Sequence, residues 1–342
     1  MPDCTLIVPT FCRPEEVVTL LTTLLRLHDE GDPVPGEMVV IDGSPDRRVE
    51  SALLAWPDWS RIPFKFGYVQ SAAGLTRQRN VGIDCTSGKY VFFLDDDSIP
   101  LSGYFQVVRD VFEADRLERV GAVGGAVVNE MNRSLSLRWR LRFLLGLAPN
   151  VAPMKFHPSG TSVPRALMRP FSGTVPVDVL PGCAFTFRRR ALDKHRFSGF
   201  FEGYSQGEDL EIALRVGREW QVLCCGDAKI LHCSAPSGRP GSFKKGYMEV
   251  VNRQFIRKRY SRPLRLRHSM RFWLDVCFLI VMGFARICRH PTQWAAIGHI
   301  AGLICGAFSS IVRPPRYEEP TSPVKSRVHW QDPQPSSVGV SG

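Results

Sequence analysis

YVFFLDDDSIP, residues 90–100, joins an apolar, aromatic run of strand length to three consecutive carboxylates and a turn. Side chains two apart on an extended chain share a face, so Asp95 and Asp97 point one way and Asp96 the other. Carboxylates this close repel one another, and when buried they either keep a proton or gather round a cation. A hard divalent ion, Mg²⁺ or Mn²⁺, suits all-oxygen donors and completes its shell with water or phosphate oxygens. Taken alone, the cluster fits a solvated loop, with Ser102 capping a following helix, as well as it fits an ion site. The flanking sequence decides between the two.

Upstream, residues 4–9 read as an apolar strand, and the TFCRP that follows sets Pro14 to open a helix. Val17, Leu20, Leu21, Leu24 and Leu25 supply that helix with one apolar face. Residues 38–42 form a second strand that ends at Asp42 in the turn signal GSPD, and a helix over 49–55 follows. A third strand (64–69) and a third helix (74–83), carrying Arg77, Arg79 and Asn80, lead through a Ser87-Gly88 turn into the Asp-terminated strand. Strands alternating with helices predict an α/β fold with a doubly wound, mostly parallel, Rossmann-like sheet. Ligands of such sheets sit outside the carboxyl ends of the strands. Thr10, Asp42 and the three aspartates all fall at those ends, so one crevice collects them and the ion site becomes the stronger reading.

Downstream, residues 120–129 predict another strand, and SLSLRWRLRFLLGL (134–147) an amphipathic helix in which Arg138, Arg140 and Arg142 alternate with Trp139, Phe143 and leucines. The Pro-, Ser- and Gly-rich stretch up to 176 predicts a mobile loop. Residues 177–187 return to strand character around Pro181-Gly182-Cys183. Gly207-Glu208-Asp209 heads a helix whose apolar face is Leu210, Ala213, Leu214 and Val216; acids in a first turn complement the helix dipole whether or not they do chemistry. Residues 221–231 predict a strand or strand pair ending at His232.

The formal charge of +11 is uneven, with eleven Lys or Arg between positions 239 and 271 against a single acid, Glu249. Such a block suits anionic lipid or a phosphate-bearing substrate; no RNA-binding motif, zinc finger or helix-turn-helix accompanies it, which argues against nucleic acid. Ten scattered cysteines without a CxxC pair fit unpaired thiols in a reducing compartment. The N-terminus runs directly into the first core strand without signal-peptide character, so a cytosolic catalytic part is expected. Residues 272–285 are apolar except for Asp275, and 294–312 form a longer apolar run containing His299. A bilayer-spanning helix needs about 20 residues, so the first run is short and the second borderline. Gly298, Gly302 and Gly306 put a small-residue stripe on one helix face that would let another helix approach closely. The expectation is a basic, apolar, membrane-associated helical region over 236–315 and a disordered tail over 316–342.

In order and spacing, VPTFCRP, VVIDGSPD, GLTRQRNVGI, FFLDDDSIP, LPGCAFTFRRRAL, GFFEGYSQGEDLEIALR and the late His232 together resemble a bacterial-type family-2 glycosyltransferase of GT-A fold. The resemblance spans about residues 6–232 and implies a nucleotide-sugar half (1–119) and an acceptor and catalytic half (120–235) of one domain. It implies a donor site of Pro9, Thr10, Asp42, Arg79, Asp95 and Asp96, and a metal site of Asp97, Asp95 and His232 for Mg²⁺ or Mn²⁺. Gly182, Cys183 and Glu202 would line the acceptor floor, and Asp209, with Glu208 beside it, would be the general base. One base far along the chain from the metal cluster fits inversion at the sugar carbon. The implied partners are a nucleotide-diphosphate sugar and a glycan or polyprenyl-linked glycan, in cell-surface polysaccharide synthesis at the cytoplasmic, anionic face of the membrane. A nucleotidyltransferase would want a Gly-rich, Lys/Arg-bearing loop after the first strand, and VPTFCRP is not one. A catalytically silent glycan-binding scaffold would not need the intact Asp95, Asp97 and Glu208-Asp209.

Overall fold

Alternation of buried side chains in the strands builds two cores, one on each face of a central sheet. A computed structural model shows this fold for all residues except 202, 204, 236, 262, 290–293, 316–327 and 332–342. The first half runs β1 (Cys4–Thr10), α1 (Pro14–Asp29), β2 (Glu37–Asp42), α2 (Arg48–Leu54), β3 (Lys65–Gln70), α3 (Leu75–Cys85) and β4 (Tyr90–Leu94). There follow β5 (Ser98–Pro100), α4 (Tyr104–Ala114), β6 (Val120–Val127), α5 (Leu137–Leu144), β7 (Phe156–His157), β8 (Thr161–Ser162) and β9 (Thr174–Pro176). The chain continues with β10 (Ala184–Arg188), α6 (Arg189–Lys194), α7 (Glu208–Val216), β11 (Gln221–His232), α8 (Ser242–Tyr260), α9 (Leu266–Arg289), α10 (Trp294–Val312) and β12 (His329–Gln331).

The sheet order is β12-β3-β2-β1-β4-β10-β6-β11-β5, with β9 beside β11. β1, β2, β3, β4, β6 and β11 run one way, and β10 lies antiparallel between β4 and β6. Residues one apart in β1 show why both faces are covered: Leu6 and Val8 join the core under α1, α2 and α4, and Ile7 the core under α3, α6 and α7. The doubly wound, mostly parallel sheet expected from the sequence is therefore present, with β10 joining its two halves.

Several local expectations shift. The stretch up to 176 is not a bare loop. It carries the β7–β8 hairpin and β9, and side chains hold the hairpin: Asp178 accepts from Phe156 N and Lys155 Nζ, and Arg253 donates to Gly160 O and Thr161 Oγ1. The strand expected over 177–187 begins only at Ala184, after a turn in which the Ala184 amide donates to Pro181 O at 2.9 Å. α4 starts at Tyr104 after the left-handed Gly103, and no side chain caps it, Ser102 included. The tail over 316–342 lies mostly outside the described residues, yet His329–Gln331 add an antiparallel edge strand to β3, where the Trp330 ring packs 4.1 Å from Lys65 Nζ. Trp330 has an apolar groove to fill, which composition alone does not reveal.

α8 docks on α7 through Phe255 and Ile256 against Leu210 and Phe201, and α8, α9 and α10 close a small core of Val250, Phe272, Val276, Leu279 and Leu303. Asp275, the one acid in the first apolar run, is buried between Arg142 of α5 at 2.7 Å and Arg253 of α8 at 2.7 Å. This ion triad ties the C-terminal helices to the sheet domain. The glycine stripe of α10 faces α8: a Cβ at Gly302 would lie 2.0 Å from Phe243 O, so the two backbones touch. The outward face of α9 and α10 remains apolar, with Met270, Leu274, Val281, Phe284, Ile297, Ile304, Phe308 and Ile311 exposed. Among the described residues only Trp294–Val312 is long and apolar enough to cross a membrane, with a mean hydropathy of 1.8 over its 18-residue window.

Candidate active site

Six elements deliver polar groups to one edge of the sheet. Thr10 ends β1, the aspartates follow β4, Glu130 follows β6, Gly182 and Cys183 precede the reversed β10, His232 ends β11, and Glu208 and Asp209 open α7. Between them lies a cavity of about 700 Å³ lined by Pro9, Thr10, Asp95, Asp96, Asp97, Gly182, Cys183, Glu208, Asp209 and His232. All ten were expected at a site from the sequence, and the fold brings them together.

The aspartates separate by their partners. Asp96 accepts from Thr10 Oγ1 at 2.7 Å and from Arg13 at 2.8 Å, and its burial pushes the carboxyl up to about 7 despite both donors. Asp97 turns Oδ2 to Ala235 N at 2.8 Å, while its buried Oδ1 accepts no hydrogen bond. Burial alone would raise Asp97, but His232 and the Ala235 amide hold it below the usual carboxylate range. Asp95 stands beside Arg79 at 3.1 Å, and burial raises it.

Donor atoms of Asp95, Asp97 and His232 all lie within 4.8 Å of one another. His232 is aimed by its second nitrogen, since Nδ1 lies 2.7 Å from Glu130 Oε1 and Nε2 3.4 Å from Asp97. Asn129 adds two hydrogen bonds to the His232 backbone. The neighbouring carboxylates raise His232 to about 9, and His232 and Arg165 hold Glu130 down at about 2. A carboxylate behind a histidine is the usual second tier of a metal site. Asp97 Oδ1, which accepts no hydrogen bond and faces only His232 Nε2 at 3.4 Å, and the O, O, N donor set fit a divalent cation.

Across the cavity, Arg79 braces the other acids. It is 1% exposed, donates to Glu208 at 3.0 Å, to Asp95 at 3.1 Å and to Gly182 O at 2.8 Å, and rests on the Phe185 and Phe197 rings. Arg79, expected at the donor site, is not among the residues that line the cavity; its three acceptors hold it in the wall behind Asp95 and Glu208. Asp42 is likewise absent from the cavity lining. It is 0% exposed, and its oxygens accept from Ser44 N at 2.8 Å, from Ser44 Oγ, and from Tyr68 Oη at 2.7 Å. Glu202, expected on the acceptor floor, lies outside the described residues.

Asp209 differs from Glu208. Its Oδ1 accepts only the Leu210 amide at 2.8 Å, and among the described residues no cation pairs with it. Burial raises both carboxyls, and for Glu208 the Asp209 charge adds to the effect. A Cβ on Gly182 would sit 2.9 Å from Asp209 Oδ2, so only glycine admits the carboxylate in this position. Arg13, Glu130 and Arg165 are not among the residues the sequence points to. Arg13 was in view inside VPTFCRP, whereas Glu130 and Arg165 carry no local signal at all.

A sequence model of glycosyl transferase family 2 matches residues 5–196. No curated protein matches the chain in sequence. Among solved structures, the mannosyltransferase PcManGT from Pyrobaculum calidifontis, in complex with GDP-Man and Mn²⁺, superposes with a TM-score of 0.53 at 16% identity, covering 91% of this chain and 87% of that one. TarS from S. aureus, in complex with UDP-GlcNAc, gives a TM-score of 0.47 at 13% identity over 91% of this chain and 92% of that one.

Proposed function

The chain belongs to glycosyl transferase family 2 and is a glycosyltransferase of GT-A fold; on that premise we propose that it moves a sugar from a nucleotide diphosphate to a glycan hydroxyl, with inversion, Asp209 acting as base. The observation that carries this is the division of labour among the acids of one cavity. Asp96 is committed to Thr10 and Arg13, and Glu208 to Arg79, which leaves Asp209 to accept a proton. The acceptor hydroxyl gives its proton to Asp209 as its oxygen forms a bond to the anomeric carbon, and the carbon–oxygen bond to the diphosphate breaks. Retention by double displacement would need a second, nucleophilic carboxylate. The partnering of Asp96 and Glu208 supports the single-displacement route.

Asp95, Asp97 and His232 would hold Mg²⁺ or Mn²⁺, and the ion would supply positive charge to the departing diphosphate. The structural neighbour solved with GDP-Man and Mn²⁺ supports a nucleotide-sugar donor. Arg239 and Lys245 also line the cavity and give it further positive charge for a diphosphate. The acceptor is read as a glycan on a lipid carrier in cell-surface glycan synthesis. The support is the exposed apolar face of α9 and α10 beside the basic α8. Because α10 packs backbone to backbone on α8, and α8 packs on the sheet domain, we place α10 in the cytoplasmic membrane surface and not across it.

Calorimetry with UDP, GDP, dTDP, CDP and ADP, with and without Mn²⁺, tests the donor half of this reading. One nucleotide is expected to bind in a metal-dependent way to wild type and not to Asp97→Ala. With the matching donor, Asp209→Asn should keep that binding and lose transfer by roughly 10²–10⁴-fold. Undiminished transfer by Asp209→Asn, or metal-independent binding, would overturn the assignment.

A further inference from the structure

A second cavity of about 600 Å³ lies between α8, α9 and α10, and two residues, Lys245 and His299, belong to its wall and to that of the catalytic cavity. Its walls carry two chemistries. Arg138, Lys245, Arg286 and Arg289 bring positive charge, whereas Leu279, Met282, Gly283, Ala285, Ala295 and Ala296 are apolar and mostly small. Ser242 and Lys245 stand in the first turn of α8, and Ala295 and Ala296 in that of α10, so two helix N-termini, the positive ends of their dipoles, meet the same space. The nearby acid, Glu249, is taken up by Arg138 at 2.6 Å and His299 at 3.5 Å. Lys245 and Arg289 have no ion-pair partner among the described residues. The cavity therefore has a surplus of positive charge.

We propose that this cavity binds the phosphate end of the single-chain lipid that carries the acceptor glycan. The inference rests on the reading of the acceptor as lipid-linked and assigns it a place. A phosphate answers the surplus charge and the two helix ends. The first part of the hydrocarbon chain would lie against Leu279, Met282 and Gly283 of α9 and Ala295 and Ala296 of α10, the apolar part of the cavity wall. Small wall residues make a slot suited to one hydrocarbon chain more than to the two chains of a bilayer phospholipid. The wall shared through Lys245 and His299 puts a carrier phosphate next to the cavity that holds Asp209, where its glycan has to arrive; a bulk phospholipid has nothing to present there.

The test uses the full chain and neutral phosphatidylcholine vesicles carrying either a polyprenyl monophosphate or phosphatidylglycerol at equal surface charge. Wild type is expected to bind the polyprenyl phosphate vesicles about tenfold or more tightly than the phosphatidylglycerol vesicles. Arg286→Gln combined with Arg289→Gln removes charge, and Ala296→Phe fills the slot without changing charge. Both should abolish the preference while retaining metal-dependent nucleotide binding, which also reports that the variants are folded. Equal binding of the two lipids by wild type would mean general surface attraction and overturn the proposal, as would a preference that survives both variants. A preference lost in the variants, in a protein that binds no nucleotide diphosphate, would sink the catalytic reading and leave this lipid site standing.

Discussion

Six acids and two histidines line one cavity, and what each is paired with decides what it can do. Arg79 neutralises Glu208 and Asp95, Arg13 neutralises Asp96, and Asp209 keeps a raised carboxyl beside Gly182 with no ion-pair partner among the described residues. Raised here means closer to the pH at which a carboxylate is an effective base. The contact between Gly182 and Asp209 Oδ2 offers a direct probe. Gly182→Ala puts a methyl 2.9 Å from that oxygen, so the carboxylate has to swing away. Misplacement on the order of 1 Å costs up to about 10²-fold in rate. We expect turnover to fall by roughly 10–10²-fold while the affinity for the metal–nucleotide pair, read by calorimetry, stays within about twofold.

Helix pairing explains why the C-terminal region is part of the enzyme and not an appended anchor. α10 approaches α8 so closely that Gly302 has Phe243 O where a Cβ would be, whereas a Cβ at Gly298 would meet its nearest neighbour at an ordinary 3.5 Å. Gly302→Val is therefore expected to force the helices apart and destabilise the fold by about 1–3 kcal/mol. Gly298→Ala should be tolerated or slightly stabilising, since alanine also improves helix propensity. Denaturant unfolding of the two variants side by side checks this, and equal losses at both positions would show that the contact is not what holds the pair. The strand ends behave differently. β1, β4, β6 and β11 bring their terminal residues to one edge because they run parallel, and the reversed β10 reaches the same edge with its first residue.

Across the whole molecule, the sheet domain and the C-terminal helices meet at a junction that contains a histidine pair. His157 of the β7–β8 hairpin packs against His268 of α9 with ring centroids 5.3 Å apart. Burial, then the charges of Arg271, His268 and Arg267, push His157 down to about 4 from the ordinary value near 6.5. A histidine whose folded pKa is depressed stabilises the fold above its unfolded value, and that contribution is lost as pH falls from about 6.5 through about 4. Wild type should thus lose thermal stability between pH 7 and pH 4.5 more steeply than His157→Gln, which has no proton to take up. Parallel slopes for the two proteins would refute this.

Much of the site was legible before any coordinates, and for a physical reason. Strand and helix periodicities report which face each residue takes, and parallel strands separated by helices place their carboxyl ends together. Thr10, the acids after residue 94, the Glu208-Asp209 pair and His232 could therefore be assigned to one edge from local pattern and motif order. Arg79 and Asp42 show where that reasoning stops. Periodicity puts a residue on a face, but whether a charged side chain there turns outward to a ligand or inward to protein depends on acceptors far along the chain. Arg79 turns inward because Glu208, 129 residues away, and the Gly182 carbonyl, 103 residues away, wait beneath it. Glu130 comes to His232 across 102 residues, and the second cavity forms only where three helices pack. The order of elements and the chemical types at their ends were written in the amino-acid sequence. The pairing of each charge belongs to the folded chain, because it is set by long-range closure and burial, which no local pattern carries.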